Sequence, residues 1–218
     1  MKQDPVTGSS LVVSYLLLRK AVGYLGIALP FVLAFGGMLL YGTGLQRSIS
    51  SYYHTGMRDV FVGILCAIAV FLMSYKGYER KDELAGDLAC IFAVGVALFP
   101  TTPDVDASSR DKLVGSLHFL FATSFLLTLA YFSLFLFTKT DPTKPPTRKK
   151  LQRNVVYKFC GSAILVAIAL IVVVTRVPDR AAAAVKTLNP VFWLESIAVV
   201  AFGVSWLTKG EAILKDET

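Results

Sequence analysis

The amino-acid sequence predicts an all-α integral membrane protein, a single domain over 1–218 built as a six-transmembrane-helix bundle with both termini in the cytoplasm. Three observations predict it. Apolar runs of 17 to 25 residues recur six times, each almost free of charge, and a helix needs roughly 20 apolar residues to cross the hydrocarbon layer. Hydrophobic residues make up 55% of the chain and charged ones only 17%, with a mean hydropathy of +0.61, against about 45–50% and about 25% in a soluble domain. Lys and Arg are divided unevenly between alternate connections.

The runs fall at 21–41, 59–76, 84–100, 113–137, 156–175 and 190–208. The first follows Arg19 and Lys20 and lacks a small-residue cleavage site, so it reads as a retained signal anchor. Ahead of it, 9–18 (SSLVVSYLLL) predicts an interfacial helix or an extension of the first span, capped by Ser9 or Ser10. The second run opens at Asp59, whose carboxylate suits a helix N-cap. The third ends at Pro100 and Pro103, which stop a helix; Asp87 near its start predicts a bond to a neighbouring helix or an exposed position. Gly and Ala along the second, third and fifth runs predict close helix contacts. The fifth run follows TKTDPTKPPTRKKLQRN, whose prolines exclude a regular helix at its start and whose basic cluster predicts contact with an anionic inner leaflet. The sixth opens at Pro190, and interfacial anchoring accounts for Trp193 and Trp206 near its two ends. Cys66, Cys90 and Cys160 lie within apolar runs, so no disulfide framework is expected.

Orientation follows from the basic residues. The N-terminal segment, the second and fourth connections and the C-terminal tail hold 15 of them: Lys2, Arg19, Lys20, Lys76, Arg80, Lys81, Lys139, Lys144, Arg148, Lys149, Lys150, Arg153, Lys158, Lys209 and Lys215. The other side holds seven: Arg47, Arg58, Arg110, Lys112, Arg176, Arg180 and Lys186. Connections one, three and five are thus expected to face outward. The net charge of +7 belongs to these loops rather than to a basic face with interleaved aromatics, which argues against nucleic acid as a partner. No P-loop, dinucleotide or redox motif occurs, and no cofactor is expected. Membrane lipids are the expected partners. A homo-oligomer or a membrane partner protein stays open, since lipid-facing and partner-facing surfaces are equally apolar.

The first outward connection, GTGLQRSISSYYHTGMRDVFVG, is dense in groups that donate, accept or carry protons: Arg47, Ser48, Ser50, Ser51, Tyr52, Tyr53, His54, Thr55, Arg58 and Asp59. His118 lies about six residues, roughly 9 Å, inside the outer end of the fourth span, and Glu195 about five residues, roughly 8 Å, inside the sixth. Ionisable residues inside a membrane usually face the bundle interior and have a partner. The sequence therefore predicts one outward-facing polar cavity containing His54, His118, Glu195, Arg58 and Asp59, with Ser50, Ser51, Tyr52 and Tyr53 at its mouth. Its catalytic candidates are His118, Glu195 and His54. Arg58, Asp59, Ser50, Ser51 and Tyr53 are its ligand-binding candidates. Two histidines and a carboxylate can hold a divalent metal or relay a proton, yet no local His spacing supports a metal, and none is expected. A packing network is the structural alternative. The third outward connection, FPTTPDVDASSRDK, reads as a solvated loop in which Asp104, Asp106 and Asp111 meet Arg110 and Lys112, able to act as a lid; the rest of a calcium-binding loop is missing.

The Ser/Tyr-rich first connection, ALFPTTPD at the end of the third span, G-S-L-H in the fourth and E-S followed by a Trp in the sixth together resemble a family of bacterial multi-pass membrane proteins catalogued as domain of unknown function 998. The stretch Leu98 to His118 carries most of that resemblance. It implies a compact helical bundle in a bacterial inner membrane and no agreed activity. In topology the chain is also similar to the DRAM-type six-helix proteins, which are linked to lipid and lysosomal membranes. Ser50 and His54 match the S-x-x-x-H of membrane hydrolases such as the alkaline ceramidases, whose zinc site needs three histidines; this chain has two. Three functions remain: a cavity binding a lipid headgroup or a small polar or anionic ligand, an intramembrane lipid hydrolase or transferase using a His/Glu pair, or a structural subunit that stabilises a partner.

Overall fold

The computed structural model describes residues 5–75, 79–140, 143, 145–176 and 187–215, with side chains from Leu16 onward. Among them the elements are helical and no strand occurs: α1 (Pro5–Tyr41), α2 (Arg58–Met73), α3 (Arg80–Leu98), α4 (Ser109–Tyr131), α5 (Arg148–Arg176) and α6 (Pro190–Lys209). Each helix packs on the next in sequence, and α6 closes against α1, so the six stand in a ring. Short connections make sequential neighbours antiparallel. Alternate connections therefore gather at opposite ends.

Among the described residues four helices are long and apolar enough to cross a membrane: Leu16–Tyr41 within α1, Ser109–Leu136, Arg148–Arg176 and Pro190–Lys209. Helix α2 has 16 residues, a rise of about 24 Å, and α3 is diluted by Arg80, Lys81, Asp82, Glu83 and Asp87. The outside of the ring is a hydrocarbon-facing surface, with Leu39 82%, Phe159 74% and Leu120 60% exposed; a water-soluble monomer rarely exposes a continuous apolar surface of this kind.

Helix α1 runs unbroken through 9–18 from Pro5, so Ser9 and Ser10 lie inside it rather than capping a separate helix. Helix α2 is capped at Met57, whose N–H bonds Thr55 Oγ1 at 3.1 Å, and Asp59 stands exposed in the first turn without capping it. Of the small residues, Ala85, Gly86, Ala89 and Ala93 of α3 and Gly161 of α5 are buried at helix contacts, whereas Gly63 of α2 faces open space. Lys2, Lys76, Lys144, Arg180 and Lys186 lie outside the described residues.

Trp193 is 54% exposed, as an anchor should be, but Trp206 is 1% exposed. Its ring packs against Tyr75, Phe132, Phe137 and Phe202 at centroid distances of 5.6, 5.7, 5.3 and 5.9 Å. A π turn at Phe132–Leu136 ends α4, with Phe137 N–H bonded to Phe132 O at 2.9 Å, and Ser133 within it bonds Ser205 of α6 at 2.8 Å.

Asp87 is exposed; the buried acid is Asp82, 1% exposed in the first turn of α3. Its carboxylate accepts from Lys139 Nζ at 2.6 Å and from Glu79 N–H at 3.3 Å. Asp82→Ala is expected to lower stability by about 1–2 kcal/mol, less than for a fully buried pair because Lys139 is 30% exposed. The Asp82 hydrogen bond holds the Lys139 ammonium above its usual range. The pair's contribution is therefore complete below about pH 10 and fades as pH rises through the raised value. Thermal unfolding in detergent from neutral to alkaline pH checks both.

Candidate functional site

The α1–α2 connection folds across one end of the ring. Gly42 turns the chain out of α1 with φ +62°, a conformation that favours glycine. Two bonds then tie the loop to the start of α6. Asn189 Nδ2 donates to Leu45 O at 3.1 Å, and Phe192 N–H donates to Arg47 O at 2.9 Å. A short 3₁₀ turn follows at Ser50–His54.

Glu195 meets this turn from below. Its Oε2 accepts the N–H of Ile49 at 2.6 Å, and the N–H of Ser50 is also in reach. The carboxylate thus satisfies amides that start the turn and would otherwise be buried without acceptors. Glu195 thus joins α6 to the α1–α2 connection.

His118 stands nine residues into α4, and its Nδ1 lies 2.6 Å from Phe99 O, the residue that ends α3. A carbonyl oxygen only accepts, so Nδ1 carries the proton and Nε2 is the acceptor of the neutral ring. His54 Nε2 is likewise 2.6 Å from Thr101 O and donates to it. The two imidazoles thus hold the α3–α4 connector at Phe99 and at Thr101. Thr102 also presses on Gly115 of α4 so closely that no Cβ fits there. Removing the His118 bond of this clamp leaves a partly buried carbonyl unpaired. His118→Ala is expected to cost about 1–3 kcal/mol and to speed amide exchange at Thr101 and Thr102, read by hydrogen–deuterium exchange.

Between these anchors lies a cavity of about 180 Å³, room for several waters or a small headgroup. Ser48, Ser50, Thr101, His118, Thr123, Thr175 and Glu195 give it polar groups, and Ala122, Leu126, Ile168, Ile171 and Val191 give it aliphatic walls. Phe119 and Val172 also line it while being 51% and 39% exposed, so the cavity opens sideways between α4 and α5 toward the hydrocarbon. His118 and Glu195 share its wall, and no hydrogen bond joins them among the described residues.

The remaining candidates stand elsewhere. Arg58 donates to Tyr53 Oη at 2.9 Å and its guanidinium lies 4.6 Å from that ring, at the exposed surface beside Asp59. Met57, Phe61 and Leu65, spaced by four, are the buried face of α2, which turns Arg58 and Asp59 outward. Ser51 bonds Ser48 at 2.8 Å outside the cavity wall, Tyr52 is fully buried beneath the turn, and His54 is exposed above it. Asp104 pairs with Arg47 at 3.0 Å rather than with its sequence neighbours, and Asp111 bonds Ser108 at the start of α4. Among the described residues no three His, Cys, Asp or Glu side chains converge as a metal site would require.

Thr101, Thr123 and Thr175 are cavity residues that the sequence did not single out. The signal for Thr123 and Thr175 is helical spacing: Gly115, His118, Phe119, Ala122, Thr123 and Leu126 form one face of α4, and Ile168, Ile171, Val172 and Thr175 one face of α5; Thr101, in the α3–α4 connector, carries none. No family model matches the chain, and neither a curated protein nor a solved structure matches it, so the chemistry of the cavity is read from its own residues.

Proposed function

We propose that the chain is a six-span protein of a bacterial inner membrane, both termini cytoplasmic, whose outward cavity binds the headgroup of a lipid or a small amphiphile. One observation carries the reading: a pocket that sets His118, Glu195 and several hydroxyls beside apolar side chains and is lined by the exposed Phe119 and Val172 where α4 and α5 meet. That mixed lining suits a molecule with a polar head and an apolar tail. No Lys or Arg lines the pocket, and Arg58 is engaged by Tyr53 outside it. Acceptors dominate instead, from the Glu195 carboxylate, the His118 ring and the hydroxyls, which favours a head rich in hydroxyl or amino groups over an anionic one. The six-span topology is supported by the ring itself, in which α2 and α3 stand between α1 and α4, and by the charges of α3, which are confined to its first eight residues.

Both anchors hold backbone groups, which favours binding over catalysis: a general base tied to a carbonyl and a carboxylate tied to an amide are already engaged. The test is mass spectrometry of what co-purifies from a mild detergent. Wild type is expected to retain an amphiphile that Ala122→Leu, which fills the cavity, loses. Val166→Leu, on the exposed side of α5, is expected to keep it. Equal retention by Ala122→Leu and wild type would overturn the proposal.

A further inference from the structure

A second set of polar groups gathers at the other end of the ring. Lys209 is the last residue of α6. Its ammonium lies 5.5 Å from the centre of the Phe137 ring and makes no hydrogen bond or ion pair among the described residues. Arg19, Lys150 and Arg153 lie within electrostatic range of it. Arg19 and Lys20 back onto the residue after it, since a Cβ on Gly210 would sit 3.3 Å from Arg19 Cβ and 3.1 Å from Lys20 Cγ.

Three of these cations, Lys209, Lys150 and Arg19, share one aromatic floor. Phe137 packs on Tyr157 at 5.4 Å, on Trp206 at 5.3 Å and on Tyr75 at 6.3 Å. Lys150 lies 5.6 Å from the centre of Tyr157 and Arg19 lies 5.9 Å from that of Tyr75. Lys150 also donates to Phe137 O at 2.7 Å, which fixes it beside Lys209. The floor contains a donor as well, because the indole N–H of Trp206 is buried with no acceptor among the described residues. The acid within range of Lys209 is Asp82, already bonded to Lys139 at 2.6 Å.

Like charges held together in a partly buried place repel, and the ring faces and Asp82 offset part of that. A polyoxygen anion placed among them would accept from several directions at once. Two guanidinium and two ammonium groups from three helices suit the tetrahedral oxygens of phosphate better than a planar carboxylate. We propose that Lys209, with Lys150, Arg153 and Arg19, forms a binding site for a phosphate group at the end of the bundle opposite the His118–Glu195 cavity. The phosphate belongs either to an anionic lipid headgroup or to free phosphate.

The full chain, purified in detergent and stripped of phospholipid, is mixed with phosphatidylglycerol, phosphatidylcholine or inorganic phosphate, and bound lipid is counted by native mass spectrometry. Phosphatidylglycerol is expected to bind more tightly than phosphatidylcholine. Lys209→Gln is expected to weaken it by about five-fold, the share of one interfacial cation, while Lys158→Gln, exposed on α5, leaves it unchanged. Should Lys209→Gln fail to fold, Lys150→Gln carries the same reading. Displacement of the lipid by inorganic phosphate assigns the site to phosphate in any form, and failure to displace it assigns the site to lipid-borne phosphate. Equal binding of the two lipids, or wild-type binding by the neutralised variant, overturns the site.

Discussion

Gly203→Leu is expected to abolish the monodisperse folded protein, and Gly203→Ala to lower its stability by about 1–3 kcal/mol, the usual range for overpacking a tight contact. Helices α1 and α6 cross with backbone against backbone. A Cβ on Gly203 would fall 2.6 Å from Gly23 O and 2.6 Å from Ile27 Cγ1, and a Cβ on Gly23 would fall 2.9 Å from Gly203 O. Neither oxygen can swing aside as a side chain would, so even one methyl group must separate the helices. The consequence is global, because this contact closes the ring and α6 also carries Glu195. Gly63→Ala is the control: nothing lies within 4 Å of that Cβ. Size-exclusion profiles and unfolding midpoints in detergent check the series. A Gly203→Leu protein that runs and melts like wild type would show that α1 and α6 do not meet in this way.

That closure marks a boundary of what sequence could tell. The apolar runs announced the helices because burial in hydrocarbon demands length and low charge, and α1, α4, α5 and α6 satisfy both. Pairing was not legible. Lipid-facing and helix-facing surfaces are equally apolar, so the residues that select a neighbour are small ones whose importance depends on what lies opposite. Gly23 and Gly203 are 180 residues apart in the chain, and nothing local marks them as partners. Trp206 shows the same limit, since a Trp near a span end reads as an interfacial anchor until the surrounding rings are placed around it.

The polar residues divide along similar lines. His118 and Glu195 stood out because ionisable groups in apolar helices need a reason to be there, and they line one cavity. Arg58, Asp59 and Tyr53 are close to them in composition, but the face on which they stand is decided by Met57, Phe61 and Leu65, whose burial rotates α2. The threonines escaped notice because a hydroxyl in a membrane helix can bond its own backbone and so carries little sequence contrast, as Thr175 does with Ile171 O at 2.8 Å.

Substitutions at Glu195 separate its two roles. Glutamine keeps an oxygen where Oε2 accepts the Ile49 N–H, so Glu195→Gln is expected to melt within about 1 kcal/mol of wild type. Alanine leaves that amide without an acceptor and enlarges the cavity beside it, so Glu195→Ala is expected to lose about 1–3 kcal/mol and to loosen the turn Ser50–His54. Ligand retention should follow a different pattern. If the carboxylate accepts from the head of the amphiphile, both variants lose it, and glutamine does so with the fold intact. The informative measurement is therefore the pair of readings on Glu195→Gln, an unfolding midpoint beside the mass of the co-purified species. A stable Gln variant that keeps its amphiphile, beside an unstable Ala variant that loses it, would confine Glu195 to tying α6 to the α1–α2 connection. Recognition would then fall to His118 and the hydroxyls of Ser50, Thr101 and Thr123.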